Sequence, residues 1–262
     1  MGQRQRRREL CNGIVEDDGG INAASGLSDG CSIVPEEEEE EEAHRPLRML
    51  TPEEAARWLS RAPSAEEYDY RHSTKEAYAA TSAEEEAAAA EYVTSCSPFQ
   101  RERAFLDLQY HGAYRVDRLR LQDALVQEAI LDGSSSEAPW LIFTAGPMGA
   151  GKSHTVEWMS TRGYFPTPAM VKLDPDFFKT QLPEWKGYQE HNPSRAGSLT
   201  RRESGMILEI AQEAAMGRGK TVWVDGSFRD SEWYQQVFRQ VRRPRALLYR
   251  SCQGCVMLIQ CC

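Results

Sequence analysis

Eight consecutive residues, Gly146-Pro147-Met148-Gly149-Ala150-Gly151-Lys152-Ser153, fit the pattern GxxxxGK[ST] at every fixed position. They stand between an apolar run, residues 140–145, and a helix-forming segment, residues 152–161. A chain with this arrangement must end a strand, turn on glycines and enter a helix at once. Glycines let successive backbone N–H groups converge on an anion, and the helix that follows directs its positive end at the same charge. Downstream, apolar runs of strand length alternate with helical stretches, the pattern of a parallel sheet wrapped by helices. The expected strands are 140–145, 169–173 and 221–224, and the expected helices 152–161, 199–216 and 231–241. The fold class that follows is α/β: a three-layer P-loop NTPase with a kinase-type parallel sheet and flanking helices.

The region before this domain reads differently. Residues 1–48 carry an arginine cluster (Arg4, Arg6, Arg7, Arg8), then Gly, Ser and Asp, then glutamates from Glu36 to Glu42. Such a segment buries too little apolar surface to offset its ordering entropy, so a disordered acidic tail is expected. Residues 49–135 read as a helical extension and residues 136–262 as the phosphate-binding domain. Thr51-Pro52-Glu53-Glu54 has the residues of an N-cap and first turn, predicting a helix from Pro52 to about Arg61. Further helical structure is expected over 65–93, and one longer helix from Ser97 to the Asp132-Gly133-Ser134 stop.

Composition restricts the partners. The formal charge of -9 argues against a general nucleic-acid surface. No apolar stretch has the length of a membrane span, and the N-terminus lacks an apolar segment after its basic residues. A cytoplasmic location is the default, with a nuclear one open to a chain bearing an N-terminal arginine patch. Four of the seven cysteines fall in the last eleven residues, so no disulfide framework is expected. Cys252 and Cys255 have CxxC spacing without the second pair that a zinc site requires.

The chemistry expected at the loop is that of ATP with Mg²⁺. The stretch Gly146, Gly149, Ala150, Gly151, Lys152, Ser153 and His154 is assigned to holding the nucleotide. Lys152 would bridge the β- and γ-phosphates, and the Ser153 hydroxyl would reach the metal. The run Thr221-Val222-Trp223-Val224-Asp225 is a strand ending in a carboxylate, which makes Asp225 the candidate for holding Mg²⁺ through water; an N-cap or turn role is the alternative. Asp174 and Asp176 follow the second strand, at the sheet edge where α/β proteins bind ligands. Either could take the proton of an acceptor hydroxyl, but Asp174 before Pro175 also has the form of an N-cap.

Four segments in order resemble the zeta toxin family of P-loop kinases: GPMGAGKS at 146–153, DPDFFKTQLPEW at 174–185, RRESGMILEI at 201–210 and VWVDGSFRD at 222–230. The similarity spans residues 140–243. Bacterial members of that family phosphorylate UDP-N-acetylglucosamine, so the resemblance implies a kinase acting on a small-molecule hydroxyl. It also implies Asp176 as general base, Glu209 as substrate-binding glutamate with Glu203 as the rival, and Ser227 and Arg229 at the substrate. For Arg229 a surface role is the alternative. Family members continue into a further core strand and an arginine-bearing lid. Here Pro244–Tyr249 reads as the start of such a strand, followed by an apolar end, so a C-terminal truncation is expected; Arg242, Arg243 and Arg245 precede the position of the lid. A non-catalytic ATP-binding module and a P-loop ATPase are the competing functions, and an antitoxin-like partner is left open.

Overall fold

The computed structural model describes residues 49–59, 68–146, 149–226 and 234–235, together with the backbone of 255–260. All of these belong to one unit, Pro46–Cys262. The acidic tail, the loop residues Pro147 and Met148, the expected strand at Pro244, Arg242, Arg243, Arg245 and Cys252 lie outside the described residues, as does all but Tyr234–Gln235 of the expected 231–241 helix.

Strand β1 (Trp140–Ala145) occupies the center of the sheet, and β2 (Val171–Leu173) and β3 (Val222–Asp225) lie to one side of it. A fourth strand, β4 (Cys255–Gln260), lies on its other side, giving the order β2-β3-β1-β4. Every pairing is parallel. The register sets Thr144 opposite Asp225 on β1 and β3, and Ala145 opposite Gln260 on β1 and β4. The stretch read from sequence as an apolar end therefore includes a strand of the sheet. β-branched and large apolar side chains suit a strand covered on both faces, because neither face needs polar residues.

Alternation along the strands divides the core in two. Leu141, Phe143, Val222 and Val224 join one cluster, with Val171 and Leu173. Ile142 and Trp223 face the other way, against Val156, Phe165 and Met170. Helix α6 (Val116–Ala129) and helix α11 (Arg201–Gly217) cover the first face through Leu125, Val126, Met206, Ile207, Ile210 and Ala214. Helix α7 (Lys152–Thr161) covers the second through Val156. Helix, sheet and helix thus form three layers, the P-loop kinase-like α/β fold expected from the sequence.

Helix α1 (Pro52–Leu59) begins as expected: Glu54 N–H donates to Thr51 Oγ1, and Thr51 N–H donates to the Glu54 carboxylate. The expected helix over 65–93 is instead two, α2 (Thr74–Ala77) and α3 (Ala83–Ser95). Each starts in a reciprocal capping box, Ser73 with Glu76 and Ser82 with Glu85. The expected long helix from Ser97 is three: α4 (Gln100–Arg103), α5 (Leu108–His111) and α6. Asp107 accepts the N–H groups of Gln109 and Tyr110 and restarts the chain as α5. Gly112, at φ 83°, then ends α5. Local caps and a left-handed residue outweigh the apolar spacing over this stretch.

Helices α8 (Pro175–Gln181), α9 (Trp185–His191) and α10 (Ala196–Leu199) connect β2 to α11. Trp185 packs with Tyr68 on a small aromatic core formed by Tyr70, Tyr188, Ala196 and Leu199.

Candidate functional site

The parallel sheet brings its functional ends together because all strands run the same way and β3 lies directly beside β1. The loop leaving β1 and the carboxylate ending β3 must therefore be neighbours. Thr144 Oγ1 donates to Asp225 Oδ1 at 2.7 Å, which fixes the carboxylate next to the start of the loop. Gly146, Gly149 and Gly151 all have positive φ, at 144°, 83° and 78°. A Cβ at Gly149 or Gly151 would meet nothing within 4 Å, so conformation and not space requires glycine there. Gly151 is also the residue from which α7 departs. Lys152 Nζ donates to the Gly146 carbonyl at 3.0 Å, a contact that spans the loop.

A cleft of about 760 Å³ opens in front of this loop. Gly149, Gly151, Lys152, Ser153 and His154 line it together with Asp174, Asp176 and Asp225. Ala150 is described but does not line the cleft. Asp174 caps α8 by accepting the Asp176 N–H at 2.8 Å. Burial, then the charges of Asp225 and Asp176, pushes the Asp174 carboxyl above the ordinary Asp range. Asp176 is exposed, and Lys179 Nζ donates to its Oδ1 at 2.6 Å across one turn of α8.

The two glutamates considered for substrate binding separate cleanly. Glu209 lines the cleft from α11, its side chain 17% exposed, with Oε1 at 3.1 Å from His111 Nε2. Glu203 is fully buried and does not line the cleft. Arg118 holds it through Nε at 2.6 Å and Nη2 at 2.9 Å, and Gln122 donates to it as well. Ser227 and Arg229 lie outside the described residues.

Several lining residues are not among the candidate site residues of the sequence. Tyr110 and His111 come from α5, and Arg201 and Arg202 from the first turn of α11. Tyr234 lines the cleft beside Gly226, its ring edge-on to Phe143. Nothing local in the sequence marks α5 as part of a site; the signal that could have found it is the Asp107 cap and Gly112 stop, which isolate Tyr110 and His111 on a short helix. Trp185 does not line the cleft and packs on the aromatic core.

Ser153, Asp225 and Asp174 supply a hydroxyl and carboxylates to the cleft lining, hard oxygen donors of the kind Mg²⁺ takes. Burial first, and the neighbouring Asp225 and Asp176 charges after it, raise the Asp174 carboxyl. These residues fit Mg²⁺ brought in with a nucleotide.

A family model described as zeta toxin matches residues 126–245. No curated protein matches the chain. Among solved structures, a chain from work on the PezAT chromosomal toxin-antitoxin system of Streptococcus pneumoniae is similar over 53% of this chain, with 17% identity and a TM-score of 0.41. The match covers 54% of that chain, about half its length.

Proposed function

We propose, since the chain belongs to the zeta toxin family through residues 126–245, that it is an ATP-dependent kinase transferring the γ-phosphate to a hydroxyl of a small molecule, a nucleotide sugar such as UDP-N-acetylglucosamine. The observation that carries this reading is one cleft lined together by Lys152, Ser153, Asp225, Asp176 and Glu209. Lys152 and the N-terminus of α7 hold the phosphates, and Lys152 offsets the charge that accumulates as the γ-phosphoryl moves. Ser153 and Asp225 would hold Mg²⁺, which would supply positive charge to offset that of the phosphates when bound. Asp176 accepts the proton of the acceptor hydroxyl, positioned by its contact with Lys179. Glu209 binds the acceptor, and the family resemblance assigns Ser227 and Arg229 to it as well. Glu203, tied to Arg118, has no part in binding.

Incubation of the chain with Mg-ATP and UDP-N-acetylglucosamine, followed by mass spectrometry, tests the proposal. A phosphorylated sugar nucleotide is expected from the wild type and none above background from Lys152→Ala. Absence of product from a panel of nucleotide sugars and other hydroxyl-bearing metabolites, with ATP still bound, would reduce the chain to a nucleotide-binding module. ATP hydrolysis indifferent to Asp176→Asn would make water the acceptor instead.

A further inference from the structure

The cleft has a wall that the family-matched segment does not supply. Helix α5 lies wholly before residue 126, yet Tyr110 and His111 line the same cleft as the phosphate loop. Three contacts fix this wall. Lys75 Nζ donates to the Tyr110 carbonyl at 2.9 Å, and Arg202 Nη1 donates to the same oxygen at 3.1 Å. The Arg202 guanidinium also lies 5.0 Å from the Tyr110 ring center. Gly112 turns the chain away immediately afterwards in a conformation that L-residues rarely adopt, and a Cβ there would run into the Lys75 side chain.

The wall ends in an imidazole that meets the cleft's own carboxylate. His111 is 1% exposed, its ring packs edge-on to Tyr110 at 4.9 Å, and its Nε2 stands 3.1 Å from Glu209 Oε1. An ionised carboxylate only accepts hydrogen bonds, so Nε2 is the donor in this pair. His111 Nδ1 is buried with no hydrogen-bond partner among the described residues, which leaves the Glu209 contact as the bond that orients the ring. The other α11 carboxylate in this region, Glu203, is gripped by a guanidinium and wholly buried. Glu209 meets the His111 imidazole at one oxygen and keeps partial exposure to the cleft.

We propose that His111 is a positioning residue for the acceptor: it donates Nε2–H to Glu209 and holds that carboxylate in the orientation that receives the acceptor's hydroxyl groups. The helical extension thereby contributes to acceptor selection through α5. The inference rests on the reading of Glu209 as an acceptor-binding carboxylate.

Two measurements on the full chain test it. The first follows the His111 imidazole N–H proton by NMR, assigned through its disappearance in His111→Gln. Glu209→Ala should move this resonance toward free imidazole or lose it to exchange with water, and a resonance indifferent to Glu209→Ala overturns the pairing. The second is kinetic, with Mg-ATP and UDP-N-acetylglucosamine. His111→Leu should raise the acceptor KM about tenfold, the factor matching loss of one hydrogen bond to a charged group, with the ATP KM unchanged. His111→Gln, which retains a donor near the position of Nε2, should restore most of the loss. Equal increases in both KM values, or a loss that tracks a lowered melting temperature in both variants, overturns the positioning role. Should the wild type leave UDP-N-acetylglucosamine unphosphorylated while the resonance responds to Glu209→Ala, the acceptor assignment alone fails and the pairing stands.

Discussion

Asp174 carries two duties that pull against each other. As N-cap of α8 it accepts the Asp176 N–H, and as a cleft residue it brings a half-buried charge close to Asp225 and Asp176. Its folded carboxyl is raised above the ordinary 3.8, so the folded chain takes up this proton more readily than the unfolded one. The associated stability is complete below 3.8 and is lost as pH rises through the folded value. Asp174→Asn keeps a capping oxygen and removes the charge. The ligand-free variant should therefore melt about 2–4 °C higher than the wild type at neutral pH, with the difference closing on acidification. Asp176→Asn, in contrast, should leave ATP binding intact and reduce phosphate transfer by about 10²–10⁴-fold, the range for loss of a general base. The loop residues and Asp225 were legible because chemistry and local structure coincide there: strand, glycine turn, helix, and a second strand ending in a carboxylate. The choice between Glu203 and Glu209 was not. Six residues apart on α11, they lie about 120° apart around the helix axis, and what distinguishes them is distant in sequence. Arg118 takes Glu203 from 85 residues away, and His111 meets Glu209 from 98 residues away.

At the scale of elements, caps decided more than periodicity did. Thr51 and Glu54 marked α1 correctly because the box and Pro52 agree. The same S-x-x-E signature at Ser73 and Ser82 starts α2 and α3, and reading it there would have divided the 65–93 stretch. Alanine-rich composition hid those starts, since it favours helix on both sides of a break. Helix α9 escaped notice for a different reason: its purpose is tertiary. Gly187 is in its interior, where glycine costs about 1 kcal/mol relative to alanine, yet a Cβ there would overlap the Tyr70 ring. That ring stacks on His191 at 4.9 Å and meets Tyr188 edge-on at 5.3 Å. Gly187→Ala should gain helix propensity and still lose stability, by about 1–3 kcal/mol from overpacking. Urea denaturation checks the sign; a stabilised variant would mean that Tyr70 is free to move aside.

Across the whole molecule, the helical extension and the kinase-like layers are joined by a buried charge network that no single segment reveals. Arg118 of α6 binds Glu184, which precedes α9, through Nη1 and Nη2 at 3.0 Å each, and Glu203 of α11 through Nε and Nη2. Tyr78 donates its hydroxyl to Glu184, and its ring lies 4.0 Å from the Arg118 guanidinium. Burial works against the charge on Glu203, but the charge and hydrogen bonds of Arg118, with a further bond from Gln122, hold its carboxyl below the ordinary 4.5. A lowered folded value means that Glu203 adds stability above 4.5, which is lost as pH falls through the folded value. Removing Arg118 reverses that sign, because two carboxylates with side chains 0% exposed would then lack their cation. Arg118→Met should cost about 3–5 kcal/mol at neutral pH, a large part of the ~5–15 kcal/mol that holds a domain folded. Its urea midpoint should rise as pH drops toward 5, where the stranded glutamates take up protons, while that of the wild type does not. Adding Glu203→Gln to Arg118→Met should recover part of the loss at neutral pH and weaken the pH dependence. If the double variant is no more stable than Arg118→Met alone, the network stabilises through packing of the arginine stem and not through its charge.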